Sequence, residues 1–207
     1  MKRLFTLIVA CVWAVSAFAQ TPEEIISRME EEMNKHENDG IVMTVDVKIP
    51  ILGTMSTRTF ALGDKYRIEA ETMGMKIITW SDGVSEWEYN SKKNEVEIKK
   101  VDPNKSNDSE GDAEMFNGIT DGYDVTLQKE TEKAWYFVCK KSKTNPDKDA
   151  PKTMDLVVAK GTYYPVSLTA KVSGFTMTMR DIDFGVTDRQ VTFNPAECPG
   201  ATIIDKR

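Results

Sequence analysis

The sequence predicts a mainly β protein of the α+β class, in which one antiparallel sheet curls around an apolar face. From Ile41 onward, apolar and polar residues alternate with a period of two in successive short segments. Turn signals such as Gly63-Asp64 and Asp82-Gly83 separate many of these segments, and one amphipathic helical pattern precedes them. A sheet of about nine to eleven strands is expected to curl, because strand twist accumulates across it.

The N-terminal residues have the pattern of a secretory signal peptide. Lys2 and Arg3 form a positive n-region, an apolar run follows, and Ala17-Phe18-Ala19 provides a small-x-small cleavage site. We therefore expect residues 1–19 to be removed and residues 20–207 to form one exported domain. A lipoprotein-type cleavage before Cys11 is the alternative, and it would leave an unusually short apolar core in the signal.

A helix is expected directly after this cleavage site. Thr21 is suited to the N-cap, Pro22 to the first helical position, and Glu24 completes a capping box. The pattern fades at residues 38–40, and one face of the helix must pack against another element. An apolar stripe at helical spacing marks that face: Ile25, Ile26, Met29 and Met33.

Four segments with strand periodicity follow the helix, and their strict alternation predicts one apolar face and one solvated face. Residues 102–122 then interrupt the pattern with a polar stretch in which Met115, Phe116 and Ile119 are the apolar anchors. This length and composition predict a functional or mobile loop with room for a short helix. The strands expected on either side are 43–49, 66–70, 86–89, 95–99, 123–129, 134–141, 153–159, 165–172 and 175–183.

The net charge limits the kinds of partner that the protein can bind, and the cysteine content limits the disulfides that it can form. The chain has a net charge of −6 at pH 7, which becomes −8 without Lys2 and Arg3. Such a chain has no overall electrostatic reason to bind nucleic acid or anionic headgroups. Cys139 and Cys198 remain after cleavage. In an oxidising compartment they form either a disulfide or two separate buried thiols, and the sequence leaves both alternatives open.

The sequence offers little catalytic chemistry. Its only histidine, His36, stands among charged residues where the helix fades, and we expect it to be a solvated surface residue. Because the sequence has no other histidine, it cannot form a histidine-dependent triad or most kinds of zinc site. It also has no glycine-rich phosphate loop and no C-x-x-C motif. Asp181 and Asp183 are spaced as on a solvated strand face. We predict that the protein is not an enzyme and needs no metal or cofactor.

Flexible apolar side chains recur at strand spacing. Met73 and Met75 form one such pair, and Met177 and Met179 form another, beside Phe175. Methionine adapts its shape to variable apolar ligands. A curled sheet whose apolar face is incompletely covered leaves a concavity. The residues therefore favour a lipid-facing surface over the alternative of ordinary core packing.

Three motifs resemble those of the outer-membrane lipoprotein carrier family, the LolA-like proteins. Residues 81–89, SDGVSEWEY, are similar to the S-D-G-x-x-x-W-x-Y hairpin of that family. Residues 65–69, KYRIE, are similar to its strand with an aromatic-Arg-apolar step. Residues 191–195, VTFNP, and 203–207, IIDKR, are similar to its F-x-F-x-P closing strand and its terminal D-x-R. The order and spacing agree across residues 20–207.

The resemblance implies an incomplete β-barrel with N-terminal and lid helices, acting in the periplasm as a carrier or chaperone for the acyl chains of lipoproteins. The implied partners are acylated lipoproteins or lipid, an inner-membrane lipoprotein-releasing transporter and an outer-membrane acceptor, without nucleic acid. We expect a monomer. On this analogy the following residues line the lipid-binding concavity: Tyr66, Ile68, Met75, Ile77, Trp87, Tyr89 and Met177.

Two departures from the family leave other functions open. The family has a basic K-R-P step, whose arginine helps to hold the lid shut, where this chain has ALGD at residues 61–64. The lid segment of the family is also more apolar than residues 102–122. The alternatives are an envelope sensor or adaptor of the same fold that binds lipid or a regulatory protein, a structural module whose apolar face is all core, and a hydrolase of envelope polymers.

Overall fold

The computed structural model describes residues 20–101, 116–172 and 174–207. They form a long helix α1 (Pro22–Asn34), a short helix α2 (Asp188–Val191) and a 3-10 helix (Pro195–Glu197). The signal peptide expected at residues 1–19, and most of the loop expected at 102–122 with its lid helix, lie outside the described residues. The strands are β1 (Ile41–Ile49), β2 (Gly53–Leu62), β3 (Lys65–Thr72), β4 (Met75–Ser81), β5 (Ser85–Asn90), β6 (Glu95–Lys100), β7 (Tyr123–Glu130), β8 (Ala134–Lys141), β9 (Thr153–Ala159), β10 (Pro165–Val172), β11 (Phe175–Phe184) and β12 (Thr202–Asp205).

All twelve strands belong to one sheet with the spatial order β12-β6-β5-β4-β3-β2-β1-β11-β10-β9-β8-β7. Successive hairpins build β1–β6 and β7–β11, and antiparallel pairing of β1 with β11 joins the two halves. Only β12 runs parallel to its neighbour, β6. Strands β7 and β12 form opposite edges of the sheet. The predicted mainly β class, with a curled sheet that does not close into a barrel, is confirmed.

Helix α1 begins as its sequence predicts. The Glu24 backbone N–H donates to Thr21 Oγ1 at 3.2 Å, and the Thr21 N–H donates to Glu24 Oε2 at 2.9 Å. This reciprocal pair satisfies two backbone donors that helix formation would otherwise leave free. The predicted apolar stripe of the helix is buried. No helix of the described residues is long and apolar enough to cross a bilayer.

The main core lies between α1 and one face of the sheet. Met29 and Met33 of α1 are fully buried in it, as is Phe116, which follows the gap in the described chain. Burying large apolar side chains on this scale is the principal source of stability for such a domain. The sheet contributes Ile41 and Met43 of β1, Ala61 of β2, Trp135, Phe137 and Cys139 of β8, Met154, Leu156 and Val158 of β9, and Leu168 and Ala170 of β10.

A second core lies at the other end of the sheet. Trp80 of β4 and Val96 of β6 are buried in it, together with Cys198 from the segment that follows the 3-10 helix. Phe193 and Ala201 of the C-terminal segment pack against this cluster. The expectation that one face of the sheet would be solvated throughout is therefore wrong for β4 to β6.

The C-terminal segment also differs from the prediction. Residues 191–195, expected as a closing strand, contain the end of α2 and the start of the 3-10 helix instead. The strand that closes this edge is β12, which pairs Ile203 with Val96. Strand β2 was not predicted, because alternate positions such as Thr57 and Thr59 lack an apolar signal, and pairing with β1 and β3 defines it.

The two cysteines are free thiols in different cores. Cys139 lies in the main core and Cys198 in the second core. Burial raises the pKa of Cys139 to about 11, with a smaller contribution from the nearby Asp155 carboxylate. Burial also raises the pKa of Cys198. Of the two alternatives left open by the sequence, the structure has two separate buried thiols.

His36 is not the solvated residue that the sequence predicted. Its ring stacks on Phe184 with centroids 4.4 Å apart, its Nδ1 lies 2.7 Å from Asp39 Oδ2, and its Nε2 is hydrogen-bonded to the Tyr164 hydroxyl. Only a quarter of the side chain is exposed (25%). The residue ties the chain after α1 to the ends of β10 and β11, which are distant in sequence.

Candidate functional site

Strand register determines which side chains share a face. Directly paired residues of antiparallel strands project to the same side of the sheet, and successive residues alternate. Ile41 and Met43 point toward α1 and define what we call the inner face. Following the register from β1, the inner-face positions are Met55, Thr57, Thr59 and Ala61 on β2, Tyr66, Ile68, Ala70 and Thr72 on β3, Met75, Ile77, Thr79 and Ser81 on β4, and Phe175, Met177 and Met179 on β11.

The inner face has a closed half and an open half. Under α1, which lies toward β7, the inner-face side chains of β8 and β9, with Leu168 and Ala170 of β10, are buried. Further along the same face the apolar side chains remain partly exposed, and Met55 is 48% exposed. We call this half the open floor: Val47, Met55, Ile68, Ala70, Met75, Ile77 and Met177.

The open floor has no ionic component. Along β1 to β4, which the structure describes completely, every inner-face position is apolar or carries a hydroxyl. The outer face of the same strands carries, beside Ile78 and Trp80 of the second core, a set of charged residues: Asp46, Lys48, Arg58, Arg67, Glu69 and Lys76. Carboxylates first appear on the inner side of β5, where Glu86 pairs with Ser81 and Glu88 pairs with Thr79. The floor is therefore an apolar strip with a polar margin.

Five predicted lining residues lie together on the inner face: Tyr66, Ile68, Met75, Ile77 and Met177. Tyr66 stands at the boundary between the two halves, since it packs against the main core. Its hydroxyl donates to Glu86 Oε2 at 3.0 Å. Burial, together with the adjacent Glu86 charge, raises the pKa of Tyr66 to about 12, so the phenol is neutral at physiological pH.

Trp87 and Tyr89, the other two predicted lining residues, lie on the opposite face. Trp87 pairs with Trp80 and stacks on Phe193 with ring centroids 5.6 Å apart and planes 10° from parallel. Both residues pack against the second core. The sequence prediction assigned them to the wrong face because alternation shows which residues share a side, whereas only the register with β4 shows which side it is.

The inner-face residues that sequence reasoning missed are the polar ones on β5: Glu86, Glu88 and Asn90. All three are half-buried. The segment E-W-E-Y contains the signal, because placing its aromatic residues on one side places its carboxylates on the other. The two glutamates are the nearest charged groups to the open floor along the sheet, and the three residues together mark where its apolar surface ends.

Arg67 holds the C-terminal segment on the outer face. Its guanidinium lies 2.7 Å from Glu69, 2.8 Å from Glu197 and 5.2 Å from the centre of the Trp80 ring. The Glu197 contact joins β3 to the 3-10 helix. Arg67 faces away from the floor. It therefore does not replace the arginine that the LolA-like family has at the position of residues 61–64.

Comparisons with known proteins identify the fold. No protein-family model matches the chain, and no curated protein matches it in sequence. The lipoprotein LppX of Mycobacterium tuberculosis is 7% identical and matches 81% of this chain and 98% of its own, with a TM-score of 0.52. LprF of Mycobacterium bovis is 10% identical over 84% of this chain and 98% of its own, with a TM-score of 0.50.

A LolA superfamily protein from Nitrosomonas europaea is also matched, at 11% identity over 84% of this chain and 99% of its own, with a TM-score of 0.32. At these levels of identity the likeness is one of fold. The chain shares its overall fold with LppX and LprF, and its helix, its curled sheet and the uncharged inner face of β1 to β4 are the features on which a function must be built.

Proposed function

We propose that the protein binds the acyl chains of a lipid or an acylated lipoprotein on the open floor and carries them through the periplasm. The observation that supports this most directly is the continuity of the floor. It extends the same face that forms the main core, it has no charged side chain on β1 to β4, and its apolar residues are left partly exposed. A structural module would bury such a surface as core.

The chemistry of the floor suits a variable apolar ligand. Met55, Met75 and Met177 lie on it, and unbranched thioether side chains can rearrange around chains of different length and saturation. The hydroxyl groups nearest to the first two of these methionines on the face are Thr57, the next inner-face position after Met55, and Thr72, the register partner of Met75. None of them brings the desolvation cost that a charge would bring when an acyl chain displaces water.

Partial exposure of the floor also fits a ligand that must be released. Full burial of about twenty methylenes at ~0.8 kcal/mol each would give roughly 16 kcal/mol, near the practical limit for non-covalent binding. A floor that covers one side of the acyl chains gains only part of this free energy. We therefore expect affinity in a range that permits transfer, and a pocket that stays shallow or plastic.

On this proposal the protein is an exported monomer, with residues 1–19 as its signal peptide. It receives acylated cargo from an inner-membrane lipoprotein-releasing transporter and passes it to an outer-membrane acceptor. LppX, which shares this fold, is itself named as a lipoprotein. An envelope sensor or adaptor would instead retain the ligand, so a transfer assay between donor and acceptor membranes separates the two functions.

The first test is ligand binding by native mass spectrometry. The protein, expressed with its own N-terminal segment and purified from the periplasm without detergent, is incubated with a synthetic diacylated lipopeptide. We expect a one-to-one complex that Ile77→Glu and Met177→Glu weaken at least about ten-fold, because each places a carboxylate on the floor. Val84→Glu, at an exposed aliphatic residue of the β4–β5 turn, is the matched control. Unchanged binding by both floor variants, from folded samples, would refute the proposed site.

A further inference from the structure

One end of the sheet exposes large apolar side chains on two of its turns. Ile51 and Leu52, between β1 and β2, have relative exposures of 106% and 81%. Met73, between β3 and β4, has a relative exposure of 104%. Together with Met55, which follows the first of these turns, these residues form what we call the tip edge. Large aliphatic side chains projecting fully into water mark a surface that another apolar phase covers.

Strand order places these turns side by side. Because β1 to β4 are consecutive antiparallel neighbours, the β1–β2 and β3–β4 turns lie at the same end of the sheet, separated by two strand spacings of about 4.8 Å. The β5–β6 and β10–β11 turns lie at this end as well. The exposed residues are therefore one surface feature rather than scattered side chains.

The tip edge is continuous with the open floor. Val47 and Met55 form a register pair on the inner face, close to the β1–β2 turn, and Met75 begins β4 directly after Met73-Gly74. No charged inner-face residue interrupts β1 to β4 between the tips and Ile68 or Ile77. An apolar ligand that leaves the floor at this end meets the tip edge first.

Lysines surround the tip edge. The set that we call the basic ring comprises residues within a few positions of the four turns: Lys48, Lys76, Lys92, Lys93 and Lys171. The acidic residues at the same turns are Glu71 and Glu95, and Lys76 Nζ lies 3.8 Å from Glu69. The net charge of −6 for the whole chain thus conceals a positive edge. Local charge of this kind attracts anionic surfaces within a Debye length.

We propose that the tip edge docks on the surface of a bilayer that contains anionic phospholipid. Ile51, Leu52 and Met73 enter the interfacial layer, and the basic ring lies at the level of the headgroups. This combination of a few aliphatic insertions with nearby lysines is how proteins bind reversibly to a membrane surface. Three side chains on two narrow turns, with Met55 of β2 beside them, offer much less than the roughly 800 Å² per partner of a stable protein interface. Docking would place the open end of the floor against the membrane that supplies or receives acyl chains.

Vesicle co-sedimentation of the full-length exported protein tests this proposal. Vesicles of phosphatidylethanolamine and phosphatidylglycerol are compared with vesicles of phosphatidylcholine alone. We expect binding to the anionic vesicles to fall at least about ten-fold in the triple variant Ile51→Ser/Leu52→Ser/Met73→Ser. All three sites are exposed, so the variant folds, and Val84→Ser at the opposite end of the sheet is the matched control.

Charge reversal tests the basic ring separately. Lys92→Glu/Lys93→Glu is expected to remove the preference for anionic over neutral vesicles. The proposal is overturned if the wild-type protein does not bind the anionic vesicles, or if the triple serine variant binds them like wild type. It is equally overturned if the wild-type protein forms a concentration-dependent dimer that the triple variant loses, because the tip edge would then contact a second copy of the chain.

Membrane docking and cargo binding fail independently. The triple serine variant should still form the one-to-one lipopeptide complex in detergent-free solution, because it leaves Ile68, Ile77 and Met177 in place. Met177→Glu should lose that complex and still bind anionic vesicles. If instead Met177→Glu abolished vesicle binding, the floor rather than the tip edge would be the membrane-contacting surface, and the docking proposal would be wrong.

Discussion

The assignment of Trp87 to the outer face gives a prediction that separates stability from ligand binding. In Trp87→Ala the indole is lost from a stack on Phe193 at 5.6 Å and from the register pair with Trp80. A fully buried tryptophan replaced by alanine costs about 3–5 kcal/mol. Trp87 is only half-buried, so we take about half of that and add about 0.5–1 kcal/mol for the aromatic pair, which gives a loss of about 2–3.5 kcal/mol.

Urea unfolding followed by circular dichroism measures this loss. With a slope of about 2 kcal/mol/M, the midpoint should fall by about 1–2 M without a change of slope. The affinity for the diacylated lipopeptide should stay within about two-fold, since the indole lies across the sheet from the floor. Ile77→Ala is the matched comparison on the inner face, and it should weaken lipopeptide binding more than Trp87→Ala does. A Trp87→Ala variant with unchanged stability and abolished binding would refute the register on which the site is built.

Three further predictions follow from the structure. Ile51 has φ 72°, a left-handed conformation that disfavours β-branched residues, so Ile51→Asn should stabilise the fold by about 1 kcal/mol in urea unfolding while weakening vesicle binding. Buried Cys139 and Cys198 should resist a thiol reagent at pH 8 in the native protein and both react in denaturant; rapid native labelling would contradict their burial. Hydrogen bonds from Arg180 and Ser56 lower the pKa of Asp46, so its contribution to stability is present above the unfolded pKa of about 3.9 and lost as pH falls through the lower folded value. Asp46→Asn should therefore lower the free energy of unfolding by about 1 kcal/mol at pH 7 and by progressively less as the pH falls below about 4. Urea unfolding of the variant and the wild-type protein, at pH 7 and at a series of pH values below about 4, measures this difference.

The sequence predicted local features of this fold well. The capping box of α1 depends on residues three apart in the chain, and both of its hydrogen bonds are present at Thr21 and Glu24. The strands with strong alternation, such as β1 and β8, were predicted close to their observed bounds. In each case the information is contained within a few consecutive residues, where propensity and periodicity act.

The face assignments depended on contacts that the sequence does not contain. Strand β4 places Ile77 on the inner face and Ile78 in the second core, so its own pattern is apolar on both sides. The alternation in β5 shows that Trp87 and Tyr89 lie on the same side of the sheet. Only the pairing of β5 with β4 shows which side that is. His36 was likewise assigned to solvent from its charged neighbours, whereas Phe184, almost 150 positions away along the chain, supplies the surface on which its ring stacks.

The second core explains how the sheet can leave part of its inner face open. A domain must bury enough apolar surface to offset the conformational entropy of its ordered residues. Strands β4 to β6 do so on their outer side, where the C-terminal segment brings Phe193 and Cys198 over Trp80 and Val96. Glu197 and Arg67 then hold that segment to β3 by an ion pair at 2.8 Å. Because this flank of the sheet is stabilised from outside, the inner side of β2 to β4 can stay partly exposed without loss of the fold, and on the proposed function this exposed strip is where an acyl chain binds.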